Sequence, residues 1–140
     1  MRILLFLLLA SYVSATVFQD CGSLGSDVTF IVEGCEVPPC LLHRGTIIPT
    51  IIEFIPSVNS DTLTNAITGN LGGIEVPWPG MDPDACHFTT CPITAGTKTH
   101  WEMPVEILAE YPEISTVVTF KLLDNSGASQ SCILMPVTLV

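Results

Sequence analysis

The side chains with the clearest capacity for chemistry in this sequence are six cysteines, which could form disulfides or bind a metal ion. They are Cys21, Cys35, Cys40, Cys86, Cys91 and Cys132. The second and third have the same spacing as the fourth and fifth, and each pair brackets a short loop that a disulfide can close with little strain. By elimination, the first then pairs with the sixth. An even count in a secreted chain predicts three disulfides.

A zinc site built from the two Cys-x4-Cys pairs is the competing interpretation. Zinc ribbons usually have tighter spacings and belong to reducing compartments. The histidines His43, His87 and His100 form no HExxH motif or other ligand spacing. The sequence therefore favours disulfides and predicts no metal ion and no cofactor.

Motifs for catalysis are missing from the sequence. It contains no GxSxG nucleophile elbow and no P-loop, and every cysteine is assigned to a disulfide. Gly69, Gly72 and Gly73 lack the lysine and the helix that a phosphate cradle needs. With fourteen acidic residues, two carboxylates that face each other as in a glycosidase would be expected by chance. We therefore expect a protein that is not an enzyme.

Residues 1–15 have the three-part pattern of a cleaved signal peptide. Arg2 supplies the positive start, residues 3–10 form an apolar run, and Val13 and Ala15 give the small-residue pattern before a cleavage site. The run is too short to span a bilayer, which needs about 20 apolar residues. A genuine N-terminal strand is the alternative. Cleavage after Ala15 would leave one domain, residues 16–140, secreted and extracellular and not membrane-spanning.

Charge and composition narrow the range of partners. Loss of Arg2 would leave three basic against fourteen acidic residues, a formal net charge of −11. Such a surface repels nucleic acid and disfavours anionic membranes. Charged residues are only 13% of the chain and apolar residues 48%, against about 25% charged in an average domain. This composition fits either a large apolar interior or an internal cavity.

Runs of alternating and β-branched residues predict an all-β protein. The predicted strands cover residues 28–33, 46–55, 62–68, 98–109, 115–124 and 132–140. Pro49 indicates an edge or a bulge, Pro104 leaves open whether 98–109 is one strand or two, and residues 125–127 are typical of a hairpin turn. No stretch has helical periodicity. We predict an immunoglobulin-like, two-sheet antiparallel β-sandwich.

Several short motifs also occur in a specific order between the cysteines. They are Asp20-Cys21-Gly22, Cys35 and Cys40 before a long strand, Val76-Pro77-Trp78-Pro79, Asp84-Ala85-Cys86, Cys91-Pro92, Glu110-Tyr111-Pro112, and Cys132 four residues before Pro136. In this order they resemble the ML lipid-recognition family, and most of all its secreted Niemann-Pick type C2 branch, whose relatives include the mite group 2 allergens. The resemblance covers essentially the whole chain after the signal peptide.

The resemblance implies two sheets that splay apart around an apolar tunnel for a sterol, a fatty acid or a related lipid, and the same disulfide pairing as above. It implies that Trp78, Tyr111 and Pro112 lie at the tunnel mouth. The walls are then predicted to come from Val32, Leu42, Ile48, Ile52, Phe54, Val76, Val105, Val118, Phe120, Ile133 and Met135. Inward valines and isoleucines are also what an ordinary close-packed core contains.

Two departures from lysosomal members of the family affect the expected destination and ligand. None of the asparagines begins an N-x-Ser/Thr glycosylation sequon, and these are Asn59, Asn65, Asn70 and Asn125. Ile133 follows the last cysteine, where lysosomal relatives have a large aromatic residue. The resemblance therefore implies a monomeric extracellular carrier that reversibly binds a fatty acid, a sterol or a semiochemical. The alternative is a lipid-dependent co-receptor or innate-immune recognition subunit that acts through an unknown protein partner.

Overall fold

A computed structural model describes residues 14–140, and within this range the chain forms nine β-strands and one short 3-10 helix. The strands are β1 Gln19–Asp20, β2 Ser26–Val32, β3 Cys40–Leu42, β4 Thr46–Ile55, β5 Thr64–Leu71, β6 Ile74–Pro77, β7 Thr99–Ile107, β8 Ser115–Leu123 and β9 Ser129–Leu139. The 3-10 helix spans Ala85–His87. Residues 1–13 of the predicted signal peptide lie outside the described range. None of the helices in residues 14–140 is long and apolar enough to cross a membrane.

The strands form two sheets. The larger has the order β1-β9-β8-β5-β6, with β3 also paired to β9, and the smaller has the order β2-β4-β7. β1 and β3 follow one another along the same edge of β9, where β1 pairs antiparallel and β3 pairs parallel. The two-sheet sandwich is confirmed, and the parallel β3–β9 pair is a departure from the fully antiparallel arrangement predicted.

The two prolines of the smaller sheet lie opposite each other. Pro49 on β4 lies opposite Pro104 on β7, and both are exposed. The N–H of Glu33, just after β2, donates to the carbonyl of Pro49 at 3.1 Å, but Pro49 has no N–H to return, and the β2–β4 pairing ends at Thr50. β7 continues without a break through Pro104, which resolves the choice between one strand and two.

The core lies between the sheets and follows the period of the strands. On β7, every second residue from Thr99 to Ile107 is buried and the residues between them are exposed. This is the pattern of a strand with one face on the core and one in water. The inward faces of β4, β8 and β9 complete the apolar interior.

Three disulfides hold the sandwich together. They join Cys21 to Cys132, Cys35 to Cys40 and Cys86 to Cys91, which confirms the predicted pairing. The first ties the end of β1 to β9 across 111 residues of sequence. With all six cysteines in disulfides, none is left as a thiolate for the zinc site considered above.

Candidate functional site

An apolar cavity lies between the two sheets. Its walls are formed by Val32, Cys40, Leu42, Ile48, Thr50, Ile67, Trp78, Val105, Ile107, Val118, Phe120, Met135 and Val137. Apart from the Thr50 hydroxyl and the Trp78 indole nitrogen, the side chains in this set are apolar. The Thr50 hydroxyl donates only a long hydrogen bond, 3.4 Å, to the carbonyl of Ile48.

The cavity occupies only one half of the sandwich. On β4 it is lined by Ile48 and Thr50, but not by Ile52 or Phe54, which lie on the same inward face. Val105 is the residue opposite Ile48 on β7, and it too lines the cavity. We refer below to this part of the sandwich as the cavity half, and to the part that contains Ile52 and Phe54 as the packed half.

The cavity is narrow. It encloses about 400 Å³ of space outside atoms, counted to its mouth, but only about 20 Å³ of this is wide enough for the centre of a water molecule. A single ordered water needs roughly 10–15 Å³ by the same measure. The walls must therefore move apart to admit any molecule much larger than water.

A hydrogen bond between the sheets holds the packed half together. Trp101 on β7 is fully buried and donates its Nε1–H to Oδ1 of Asn65 on β5, at 2.9 Å. Asn65 in turn donates its side-chain amide to the carbonyl of Asp82, at 2.9 Å, and its backbone N–H to the carbonyl of Pro83. This asparagine joins both sheets to the segment that follows β6.

A second polar bridge crosses between the sheets at the same end. Gln130 on β9 is fully buried and accepts a hydrogen bond from the backbone N–H of Ser57, just after β4, at 2.9 Å. Gln130 also donates to the carboxylate of Asp124, at 3.0 Å. The hydrogen bond from the Ser126 hydroxyl is the main cause that lowers the pKa of Asp124, with further lowering from Gln130 and two backbone N–H groups against the effect of burial. Both bridges lie in the packed half.

The two aromatic residues predicted at the mouth contact each other, although only Trp78 lines the cavity. Trp78 and Tyr111 contact each other edge to face, with ring centroids 5.7 Å apart, and the Tyr111 hydroxyl donates to the carbonyl of Pro79 at 3.4 Å. Arg44 donates to the Tyr111 carbonyl at 3.2 Å and forms an ion pair with Glu113. These contacts fix the segment that connects β7 to β8 beside Trp78.

A shallow apolar groove lies just outside this mouth. About 120 Å³ of it can hold the centre of a water molecule, against about 20 Å³ in the cavity. It is lined by Gly69, Leu71, Val76, Pro77, Trp78, Pro79, Tyr111, Pro112, Ile114, Thr116 and Leu139. Trp78 lines both the groove and the inter-sheet cavity. The indole ring therefore separates the interior space from the surface.

Comparison with known proteins identifies this architecture. The model of the ML domain family matches residues 15–139. The chain belongs to the ML domain family. The mouse protein named NPC intracellular cholesterol transporter 2 is 34% identical over 139 residues, which cover 98% of this chain and 93% of the mouse protein. As the resemblance implied, this ML domain is a lipid-recognition protein of the Niemann-Pick type C2-like kind, and it is not an enzyme.

Two solved structures agree with the fold. The crystal structure of a Niemann-Pick type C2 protein from the Japanese carpenter ant superposes with a TM-score of 0.77 at 23% identity, and covers 89% of this chain and 99% of the ant protein. The crystal structure of chicken MD-1 complexed with lipid IVa gives a TM-score of 0.54 at 15% identity, and covers 84% of this chain and 83% of MD-1. The three disulfides of this ML domain are consistent with the secretory pathway.

The structure divides the predicted ligand-binding residues into three groups. Eight line the inter-sheet cavity, and these are Val32, Leu42, Ile48, Trp78, Val105, Val118, Phe120 and Met135. Val76, Tyr111 and Pro112 line the outer groove. Ile52, Phe54 and Ile133 are fully buried in the packed half and do not line the cavity. Contact of any of these residues with a ligand stays a prediction.

Five residues of the cavity wall were not predicted. Ile67, Ile107 and Val137 continue the same inward faces, so strand alternation alone could have found them. Thr50 lies between two predicted wall residues of β4 and was missed because it is polar. Cys40 was assigned only to its disulfide.

Two of the histidines contact carboxylates on the surface. His87 lies 2.7 Å from Asp82 through Nδ1 and 3.3 Å from Asp84 through Nε2. The hydrogen bond to Asp82 is the main cause that raises the pKa of His87. His100 lies 3.1 Å from Glu102. No group of three or more such side chains in residues 14–140 has a geometry that could hold a metal ion.

Proposed function

We propose that this ML domain is a soluble extracellular carrier that reversibly binds a hydrophobic small molecule between its two sheets. The candidate ligand classes are a fatty acid, a sterol or a semiochemical. The observation that carries the proposal is the inter-sheet cavity, whose lining side chains are apolar except at Thr50 and Trp78. No covalent step is involved, because burial of the ligand is the whole mechanism.

The physical basis of binding is removal of apolar surface from water. A hydrocarbon ligand gains about 25 cal/mol for each Å² that it buries. Ligand sites of this type are mostly apolar, with a few polar groups that fix orientation. The names of two similar proteins point the same way: the mouse relative is a cholesterol transporter and the structurally similar MD-1 was crystallised with lipid IVa.

The division into two halves indicates how the carrier would open. The two hydrogen-bonded bridges between the sheets lie in the packed half, at Asn65–Trp101 and at Ser57–Gln130. The Cys35–Cys40 disulfide ties the segment after β2 to β3 at one side of the cavity half. The other cavity walls are almost all apolar side chains, whose contacts are non-directional and can be exchanged for contacts with a ligand. We infer that the sheets separate in the cavity half while the packed half keeps its structure.

The N-terminal contacts support a mature domain of residues 16–140. Ala15 is exposed, whereas Thr16 is buried and donates its backbone N–H to the carbonyl of Phe30 at 2.7 Å. The Thr16 hydroxyl accepts from the N–H of Val32 at 2.8 Å and donates to the carbonyl of Cys35 at 2.6 Å. A cut after Ala15 would leave all of these contacts in place, and the lack of N-glycosylation sequons favours extracellular release.

Native mass spectrometry of the protein purified from a secreting host tests the carrier function. We expect a mass above that of residues 16–140, and organic extraction should release a fatty acid, a sterol or another lipid in about equimolar amount. A clean unliganded mass, from protein that also fails to bind fluorescent fatty-acid and sterol probes, would contradict the proposal.

A second candidate function is supported by the surface around the outer groove. Leu71, Ile74 and Val76, on β5 and β6, are exposed, and Ile74 is 68% exposed. An exposed apolar patch of this kind is typical of a surface that contacts another protein, as expected for a lipid-dependent co-receptor or immune-recognition subunit. In that case Ile74→Glu would abolish partner binding and leave lipid binding intact, whereas a carrier without a partner would be a monomer unaffected by this change.

A further inference from the structure

The indole nitrogen of Trp78 is an unused hydrogen-bond donor. Its Nε1 is buried, and no acceptor for it exists among residues 14–140. Buried indole N–H groups usually have a partner, as the other tryptophan of this chain shows, because Trp101 Nε1 donates to Asn65 at 2.9 Å. Arg44 Nε and Ser131 Oγ are likewise buried without a protein partner, but only Trp78 lines the cavity. Its donor is therefore free to pair with an acceptor that the protein does not supply, either a water or an oxygen of a ligand.

Trp78 lies where a ligand would enter the cavity, or where the head group of a bound ligand would lie. Its side chain lines the inter-sheet cavity, the outer groove and a third pocket of about 200 Å³ beside the edge of β7. A hydrocarbon tail in the cavity and a head group at the mouth would both contact this one residue. The donor is thus placed at the boundary between the apolar interior and the surface.

The charges around this boundary are negative. Asp82 and Glu106 line the third pocket. Tyr111 also lines this pocket, and its pKa is raised first by burial and then by the charges of Glu106 and Glu110. An anionic head group in this pocket would be repelled by the charge of Glu106, since nearby like charges destabilise each other.

Of the two carboxylates that line the third pocket, Asp82 is hydrogen-bonded to His87 at 2.7 Å, whereas Glu106 forms no ion pair within residues 14–140. The three basic residues in 14–140 are Arg44, Lys98 and Lys121, and none of them lines any of the three spaces that Trp78 lines. Arg44 donates to the carbonyl of Tyr111 at 3.2 Å, but its guanidinium is also paired with Glu113. Lys98 lies 3.5 Å from Glu53 on the outer face of the smaller sheet. A carboxylate ligand would find no ion-pair partner in these spaces.

A cationic head group suits the carboxylates but not the indole. An indole nitrogen donates a hydrogen bond and accepts none, and so does an ammonium group. An ammonium head group would therefore leave the Trp78 donor unpaired, as it is in this structure. An uncharged oxygen, in a hydroxyl, ester, aldehyde or ketone, is the head group that satisfies the donor without repulsion.

We propose that the mouth selects lipids with an uncharged, hydrogen-bond-accepting head group over ionised carboxylates, and that Trp78 Nε1 donates to this group. The proposal rests on the carrier function proposed above and narrows its ligand class toward sterols, fatty alcohols and carbonyl-bearing semiochemicals. Trp78 acts here as a specificity-determining residue.

Displacement of the neutral probe N-phenyl-1-naphthylamine by four ligands with the same 16-carbon chain tests this selection. The ligands are hexadecan-1-ol, methyl hexadecanoate, hexadecanoate and hexadecylammonium, all at pH 7.4. We expect the alcohol and the ester to displace the probe at concentrations about tenfold lower than the carboxylate requires, the difference that corresponds to about 1.4 kcal/mol. Hexadecylammonium should be weaker than the alcohol.

Single-residue variants identify the groups that cause the selection between head groups. Trp78→Phe keeps an aromatic ring but removes the donor, so affinity for the alcohol should fall about three- to tenfold more than affinity for the probe, as for one lost hydrogen bond. Trp101→Phe is the matched control in the packed half and should leave the order of the four ligands unchanged. Glu106→Gln should raise affinity for hexadecanoate.

The outcomes separate this proposal from the carrier function. Binding of the probe with hexadecanoate equal to or tighter than the alcohol, or a Trp78→Phe variant whose affinity for the alcohol falls no more than its affinity for the probe, would overturn the head-group proposal and leave the carrier function standing. Failure of the probe and of all four ligands to bind folded protein would overturn both.

Discussion

The packed half and the cavity half are built from the same strands but differ in what joins the two sheets. In the packed half, Trp101 is fully buried and hydrogen-bonded to Asn65 across the sheets. In the cavity half, Trp78 is half-buried and its indole nitrogen has no partner among the described residues. One tryptophan completes a core, whereas the other borders a space that the protein leaves unfilled.

This difference indicates that one half of the strands provides stability and the other half provides the ligand site. Close packing and cross-sheet hydrogen bonds give stability, and these are concentrated in the packed half. An unfilled apolar space costs stability, because its lining atoms lack neighbours for van der Waals contact, but its walls can move apart around a ligand with fewer contacts to break. We expect mutations in the packed half to change mainly the free energy of unfolding, and mutations in the cavity half to change mainly ligand affinity.

The largest expected effect compares two isoleucines on the inward face of β4. Ile52 is fully buried in the packed half, and Ile48 is half-buried and lines the cavity. Ile52→Ala should lower the free energy of unfolding by about 2–5 kcal/mol, the usual cost of a new cavity in a close-packed core. Ile48→Ala should cost markedly less, because its surroundings are already open. Urea unfolding of both variants makes the measurement, and equal losses would remove the distinction between the halves.

Loss of the cross-sheet hydrogen bond should have the next largest effect. Asn65→Leu leaves the buried Trp101 donor unpaired, so the free energy of unfolding should fall by about 1–3 kcal/mol. The double variant with Trp101→Phe serves as the control, because it removes both partners. Its loss should be smaller than the sum of the two single losses, as expected for residues that interact directly, and strictly additive losses would show that this hydrogen bond does not stabilise the packed half.

Enlarged side chains should lower stability in the close-packed core but lower ligand affinity at the cavity wall. Ala85 is fully buried, so Ala85→Val should overpack the core at a cost of about 1–3 kcal/mol. Val118→Ile adds one methylene at the cavity wall, and should change the free energy of unfolding by less than about 1 kcal/mol while it weakens lipid binding. Thermal unfolding together with probe binding distinguishes these effects. A Val118→Ile variant that binds lipid normally would speak against this part of the cavity as the site.

The smallest expected effect is a pH dependence that belongs to the packed half. The hydrogen bond from Ser126, with others from Gln130 and the backbone, lowers the pKa of Asp124 in the folded state. A depressed pKa means that the stabilisation is present above the ordinary pKa of an aspartate and is lost as the pH falls through the folded value. Urea midpoints between pH 7 and pH 2 should show this loss, and Asp124→Asn should make the dependence on pH less steep. An unchanged slope would contradict the assignment.

Much of the framework could be predicted from the sequence, because it follows from local patterns. The long strands have clear alternation or β-branched runs, and β4 was predicted with its observed bounds, Thr46–Ile55. β1, β3 and β6 have only two to four residues each, too few to show a period. They are strands only because β9 and β5 offer free edges to them, which is a tertiary effect.

The candidate site was predicted less completely, for a geometric reason. Alternation shows which residues face inward, but not which part of a strand borders a cavity. Ile52 and Ile48 therefore looked alike in the sequence, although only Ile48 lines the cavity. The bond between Asn65 and Trp101 was also missed, because it joins side chains 36 residues apart and no sequence motif relates them.

The two tryptophans allow the most direct test of the central claim, that ligand enters the cavity half and leaves the packed half unchanged. The chain contains only Trp78 and Trp101, so Trp101→Phe and Trp78→Phe each leave one fluorescent reporter, in the cavity half and in the packed half respectively. Each variant, shown to be folded by circular dichroism, is titrated to saturation with hexadecan-1-ol. We predict a saturable change in Trp78 emission and none in Trp101 emission. A change in Trp101 alone, or equal changes in both, would contradict the claim.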